Sequence, residues 1–314
     1  MVVIGEPLVE ISAQRPFTET DQAKVSMSGD ALNASVAARL GGARRVALLT
    51  RRSDDEFGRL LLQVCEQQGV STELINVANR PMGVYFTVAD PSGSAEFIYR
   101  RDNSAASTIT TEDVESGGVE HARALLISGA ITATSPAAAA AAVHAAKTVS
   151  AAGGIVVYDP NYRPRLQTPV AAANVFAAIA PFATLVTPSS PGDSAALFGS
   201  EDPAVAAERA LSLGAASVAV TMGKDGVLLA RDGELLSYRA PYGTRVVDAT
   251  GAGDMFAGVV TARLAVEDPI DRAVCLAIAA STISVRHQGG LGGISDFSEI
   301  VRESSVIGVA PWAE

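Results

Sequence analysis

Along most of this 314-residue chain, short apolar runs rich in β-branched residues alternate with helical stretches of about ten residues or more. Residues 2–5, 46–50, 124–128, 155–159, 184–187 and 218–221 read as buried strands, being short, apolar and bounded by turn residues. Between them, residues 30–40, 56–68, 136–152, 170–179 and 203–213 read as helices. The first sets Ala31, Ala34, Ala37 and Ala38 on one small face and stops at Gly41-Gly42. The second places Phe57, Leu60, Leu61, Val64 and Cys65 on one side, with Asp54 or Asp55 as cap and Gly69 as end. Parallel strands need crossovers of this length, so the order predicts an α/β fold with a mostly parallel sheet covered by helices on both faces.

One segment interrupts the pattern. Residues 83–89 and 96–101 alternate like strands around the turn Asp90-Pro91-Ser92-Gly93. With residues 8–12 and 24–28 they make a small four-stranded lid outside the main sheet, or else an antiparallel edge of it. A second hairpin, 227–230 with 235–238 around Asp232-Gly233, reads as a sheet edge, and the tail 303–314 as loosely ordered and chemically silent. No repeat or low-complexity linker divides the chain, so one domain over 1–314 is expected, with lid strands from about 8–28 and 83–101.

Bulk properties narrow the function. With 48% hydrophobic and 18% charged residues, the chain can bury a large core. A net charge of −10 argues against nucleic acid or an anionic membrane as partner. The Ala-rich run 136–146 is too short to span a bilayer, no signal peptide is visible, and Cys65 and Cys275 sit in apolar helical contexts that suit reduced thiols. A soluble, cytoplasmic protein is expected.

The chemistry concentrates in residues 246–260, a strand-like Val-Val, a small-residue turn and an apolar helical run. Unpaired N–H groups at such a helix start suit phosphate oxygens, and Gly251 and Gly253 let a ligand approach the backbone. Asp254 adds a carboxylate in the first turn, with an ordinary pKa of about 4 and hence ionised at neutral pH. No Gly-Lys-Ser/Thr follows, which excludes a Walker A loop, and the pattern is not a dinucleotide fingerprint.

Other polar clusters fall at or near strand ends, where open parallel sheets collect ligands. Asp159-Pro160-Asn161-Tyr162-Arg163-Pro164-Arg165 offers two guanidiniums able to fork onto a carboxylate or phosphate. Ser28-Gly29-Asp30-Ala31-Leu32-Asn33 opens the first long helix, with Asp30 either a sugar-hydroxyl acceptor or an ordinary N-cap. Tyr99 and Arg101 share one face of a lid strand with Tyr85 on its partner, and Thr221-Met222-Gly223-Lys224-Asp225-Gly226 makes a Gly-flanked turn suited to a nucleotide base or ribose.

Gly-Ala-Gly-Asp at 251–254, Ser28–Asn33 and Arg39-Leu40-Gly41 together resemble the ribokinase/PfkB-type carbohydrate kinases over roughly residues 1–298. Within that family, Gly5-Glu6-Pro7, Tyr99-x-Arg101, residues 103–107 and the Asp159–Leu166 turn are most similar to 2-keto-3-deoxygluconate kinases; fructokinases and 5-keto-2-deoxygluconate kinases share several of these. The resemblance implies a ribokinase-like fold and ATP-dependent, Mg2+-assisted phosphorylation of a primary hydroxyl on a small keto sugar acid. It gives Asp254 the role of base, and Gly251, Ala252 and Gly253 that of anion hole. It assigns Gly29, Asp30, Asn33, Tyr85, Tyr99, Arg101 and Arg163 to the sugar acid, and Asn161, Ser190, Thr221, Gly223, Gly226, Gly251 and Gly253 to the nucleotide.

The sequence departs from the family at four points. Ala249 removes a hydroxyl at the start of the signature, Arg100 replaces the second Tyr of Tyr-Tyr-Arg, and Gln167 replaces a Trp. The family's Asn-x-x-Glu magnesium motif reads Ser190-Pro191-Gly192-Asp193, leaving Asp193 as an indirect metal residue. The alternatives are a fructokinase or other neutral-sugar kinase, and a non-catalytic sugar- or nucleotide-binding protein of the same fold. A homodimer or higher oligomer through the lid is also expected.

Overall fold

The computed structural model describes residues 1–88, 97–291, 293–294 and 296–312. From β1 (Val2–Ile4) the chain passes through β2 (Leu8–Ala13) and β3 (Lys24–Ser28) into α1 (Asp30–Leu40), then β4 (Ala47–Arg52), α2 (Glu56–Gln67) and β5 (Ile75–Val77). The hairpin strands β6 (Gly83–Val88) and β7 (Phe97–Arg100) follow; the turn read at 90–93 lies outside the described residues. Then come α3 (Thr111–Ser116), β8 (Ala124–Ser128), α4 (Pro136–Ala151), β9 (Ile155–Asp159), α5 (Pro169–Ile179), β10 (Leu185–Val186), α6 (Gly192–Phe198), α7 (Pro203–Ser212) and β11 (Val218–Thr221). The chain ends with β12 (Val227–Arg231), β13 (Glu234–Arg239), α8 (Ala252–Ala265), α9 (Ile270–Ser284), α10 (Phe297–Ser304) and β14 (Gly308–Pro311).

Among the described residues the main sheet has the order β14-β13-β12-β11-β10-β9-β8-β1-β4-β5. Its seven strands from β11 to β5 run parallel and the other three antiparallel. Side chains alternate between two apolar layers, as the period of a strand requires. Val3, Leu48, Leu126 and Val157 face α1, α2, α8 and α9, whereas Ile4, Leu49, Ile127 and Tyr158 face α4, α5 and α7.

The lid is a separate sheet, β3-β2-β6-β7, and not an edge of the main one. Tyr85 pairs across from Tyr99, so both rings stand on one face, centroids 5.8 Å apart, with Phe97 beside them.

Three expectations are corrected. The tail from residue 303 is not formless: α10 extends through Ser304, and β14 adds a strand beside β13, so the second hairpin is not the sheet's edge. Phe57 is 39% exposed, because it sits in the first turn of α2, where Leu61 and Cys65 are the residues that reach the core. Asp30 is the first residue of α1 and not its cap; Gly29 holds the cap position with φ 100°.

Helices α1 and α8 cross closely because Gly258 has no side chain. A Cβ there would lie 2.3 Å from the Ala34 carbonyl oxygen. This contact sets the start of α1 beside the start of α8.

Candidate active site

Helix α8 opens at Gly251, whose φ of 76° falls in the left-handed region that glycine tolerates. A Cβ on Gly251 would also meet the Gly290 Cα at 2.7 Å. Asp248 braces this turn: one oxygen accepts the Thr250 N–H at 2.8 Å and the other the Gly289 N–H at 2.9 Å. Among the described residues no backbone acceptor takes the N–H groups of Gly253 or Asp254. A helix start with free donors and an open approach over Gly253, whose missing side chain leaves nothing within 4 Å, has the chemistry of an anion cradle.

Asp254 is 9% exposed and accepts a 2.8 Å hydrogen bond from Asn33 Nδ2. Burial raises its pKa to about 7; the Asp30 carboxylate pushes the same way, and the Asn33 amide and Arg163 guanidinium pull it down. The expectation of a mostly ionised aspartate at neutral pH is therefore corrected, and the reason is desolvation. A pKa near the working pH is what a general base needs.

Asp30 is itself held firmly. Ser128 Oγ donates to its Oδ2, and Asn161 Nδ2 reaches Ser128 Oγ at 3.2 Å and Asp30 Oδ2 at 3.5 Å. Buried Asp159 accepts the Asn161 N–H at 3.2 Å. Its pKa is raised well above the ordinary value, first by burial and then by Asp193 and Asp254.

A cleft of about 950 Å³ opens over these groups between the strand ends and the lid. Gly29, Asp30, Asn33, Tyr85, Tyr99, Arg101, Asn161, Arg163, Asp193, Thr221, Gly251, Ala252, Gly253 and Asp254 all line it. Ser190, Gly223 and Gly226 do not. Ser190 N donates to the Thr221 carbonyl and its Oγ to that of Glu201, which holds the side chain out of the cleft. Gly226 packs against the Tyr238 carbonyl at the root of the β12–β13 hairpin.

The two arginines assigned to a sugar carboxylate differ. Arg101, 7% exposed, is ion-paired with Glu6, which is fully buried and also accepts from Ser104 Oγ. Much of its charge is already answered. Arg163 is exposed in the cleft and has no ion-pair partner among the described residues. Tyr85 offers its ring to the cleft, its hydroxyl donating to Glu10 within the lid.

Residues 1–296 match the pfkB family of carbohydrate kinases. The chain belongs to that family. It is 31% identical over 296 residues to a 2-dehydro-3-deoxygluconokinase from Thermoproteus tenax, covering 92% of this chain and 89% of that protein. To the 2-dehydro-3-deoxygluconokinase of Escherichia coli K12 it is 28% identical over 305 residues, 93% of this chain and 96% of that one. A putative ribokinase II from E. coli, solved with ATP and Mg2+, superposes with a TM-score of 0.86 at 25% identity, covering 97% and 98% of the two chains. The 2-dehydro-3-deoxygluconokinase of Thermotoga maritima has the same fold, with a TM-score of 0.87 at 22% identity over 97% and 98% of the chains. The protein is a carbohydrate kinase, a phosphotransferase with a sugar hydroxyl as acceptor.

Three residues at the site of this kinase have no role assigned from the sequence. Glu6 stands alone as an acid just beyond an apolar strand, a pattern that marks a buried charge awaiting a partner. Ser128 closes β8 at the carboxyl end, the position at which a parallel sheet meets ligand. Ser189 lines the cleft in place of its neighbour Ser190.

Proposed function

We propose that this kinase transfers the γ-phosphoryl group of ATP to a primary hydroxyl of 2-keto-3-deoxygluconate. The observation that carries the substrate class is Arg163, a guanidinium without an ion-pair partner among the described residues, in the cleft that holds Asp254. The names of the relatives from T. tenax and E. coli support the same sugar acid.

In this reading Asp254 accepts the hydroxyl proton as the sugar oxygen attacks phosphorus. The bond from the γ-phosphorus to the bridging oxygen breaks, and ADP leaves. The free N–H groups at the start of α8 receive the negative charge of the phosphoryl oxygens. Asp30 and Asn33 hold sugar hydroxyls, the Tyr85 and Tyr99 rings cover the sugar and exclude water, and Asn161 and Thr221 lie toward the nucleotide.

Direct magnesium ligation by the chain does not fit. Among the described residues no cluster of three His, Cys, Asp or Glu side chains is placed to hold a metal. Both Asp193 oxygens are occupied by protein donors. A magnesium ion carried on ATP phosphates and water suits such a site.

The test is ADP release from 2-keto-3-deoxygluconate, 5-keto-2-deoxygluconate, fructose and ribose. The keto sugar acid is expected to give the highest kcat/KM, and preference for fructose would overturn the assignment. Arg163→Ala should raise KM for the acid at least about tenfold and leave fructose within about threefold, since only one ligand carries the charge. The same change removes a cation that lowers the Asp254 pKa, so the acid limb of kcat/KM should move from about 7 to higher pH. An unmoved limb would separate Arg163 from the base.

A cytoplasmic homodimer completes the reading. The lid exposes Val25 (50%) and Ile98 (39%), apolar side chains on two of its strands. Sedimentation showing only monomer at micromolar concentration would reject the dimer.

A further inference from the structure

The family resemblance places Asp193 at the acid of the magnesium motif, yet its geometry describes another task. It is 4% exposed and lies in the first turn of α6. Its Oδ1 accepts the Tyr162 N–H at 2.8 Å, across 31 positions of chain. Its Oδ2 accepts both the Ser189 N–H and the Ser189 hydroxyl, each at 2.7 Å. The two strand-end loops, after β9 and β10, are thereby tied to one carboxylate.

We infer that Asp193 is a positioning residue for sugar-acid recognition: by clamping Tyr162 it sets the backbone that presents Arg163, its immediate neighbour. This rests on the proposed role of Arg163. The residues on either side have supports of their own, Asn161 through Asp159, Ser128 and Asp30 and the Arg163 carbonyl through the Leu166 N–H, and the Tyr162 N–H between them is held by Asp193. Asn161 adopts φ 43°, in the left-handed region, so the chain reverses sharply just before the clamped N–H. On the far side, the Tyr162 hydroxyl donates to the Gln167 carbonyl at 3.2 Å and Arg165 donates to the Phe97 carbonyl of the lid at 2.9 Å. The turn is thus pinned at its lid end by side chains and at its sheet end by Asn161 together with Asp193. A charged acceptor suits this task, because hydrogen bonds to a carboxylate are stronger than those to a neutral oxygen. Taking Asp193 into a metal shell would release up to three donors into a buried site, where unpaired donors are costly.

The arrangement explains the shorter acid. An aspartate four residues after Ser189 reaches back to that N–H and hydroxyl while leaving Oδ1 for Tyr162. A glutamate adds a methylene and displaces the carboxylate from both. Asp193→Glu therefore separates the two roles, since a metal residue should tolerate or prefer the family's own side chain.

The decisive measurement is amide hydrogen exchange at Tyr162, which needs no substrate. In wild type the N–H should be protected equally in EDTA and in magnesium without nucleotide. Asp193→Asn and Asp193→Glu should each speed its exchange at least about tenfold. In kinetics with 2-keto-3-deoxygluconate, both should raise the sugar KM about tenfold or more, with KM for ATP and the half-saturating magnesium concentration within about twofold of wild type. Loss of Tyr162 protection on adding magnesium to wild type, or a glutamate variant with normal exchange, would overturn the clamp. If wild type turns over fructose and not the sugar acid, the substrate reading fails, and the exchange result still decides the clamp.

Discussion

Asp254→Asn is expected to lower kcat by at least about 100-fold and, above pH 7, to make the protein more stable than wild type. The first effect follows from losing the acid placed at both the anion cradle and Asn33, and about 100-fold is the low end for removal of a general base. The second follows from burial. The folded-state pKa is about 7 and the ordinary value is near 4, so the folded protein holds this proton more tightly than the unfolded chain. Stability is thus highest while the group is protonated in both states and declines as pH rises from about 4 to about 7. Above pH 7 the full cost of the buried charge remains, on the order of a few kcal/mol. Asparagine keeps the shape and an oxygen for the Asn33 amide without the charge. Melting temperatures at pH 8 should rise by several degrees and at pH 5 by much less. Equal changes at both pH values would show that the charge is not strained, and near-normal turnover would remove Asp254 from proton transfer.

That strain was not legible in the sequence, although Asp254 itself was. The signature at 251–254 and the α1 start at Gly29–Asn33 are local patterns, and each occupies the cleft. Their meeting depends on Gly258 and Ala34, whose close approach leaves no periodic signal. The carboxylates Asp30, Asp159 and Asp254 lie up to 224 positions apart in sequence but share one pocket, and only that packing raises a pKa. The same limit explains the elements. Helices with a cap and one apolar side, such as the span read at 56–68, are visible in a sequence. Helix α9 is not, because ten of its fifteen residues are buried and no polar face marks its period. Strand β14 escaped for the opposite reason: Gly308 and Pro311 bound it, and its apolar residues are mostly exposed. Arg101 shows the limit at a single side chain. Its place on a lid strand could be read, but not the carboxylate of Glu6, 95 positions earlier, that answers its charge.

The Glu6–Arg101 pair leads to the other large expected effect. Arg101→Met should cost about 3–5 kcal/mol of stability at pH 8, because it strands a fully buried carboxylate with Ser104 as its one remaining side-chain donor among the described residues. Burial already raises the Glu6 pKa, with Arg101 and Ser104 opposing the rise. Removing the arginine lets burial dominate, so Glu6 in the folded variant takes up a proton at higher pH than in the unfolded chain. The loss should therefore shrink as pH falls, since a neutral Glu6 needs no cation. Glu6→Gln alone leaves the arginine buried and unpaired and should also destabilise. The double variant removes both charges and should recover most of the stability, as replacement of buried ion pairs by neutral groups often does. If the two single losses instead add in the double variant, the pair is not coupled. Stability and recognition should then part company. The double variant folds with Arg163 intact, so it should still bind the sugar acid, with KM raised to the extent that Arg101 touches the carboxylate despite its pairing. A KM within about twofold of wild type would assign Arg101 to holding the lid root and leave Arg163 as the anion receptor; a rise of about tenfold or more would show that Glu6 shares its arginine with the substrate.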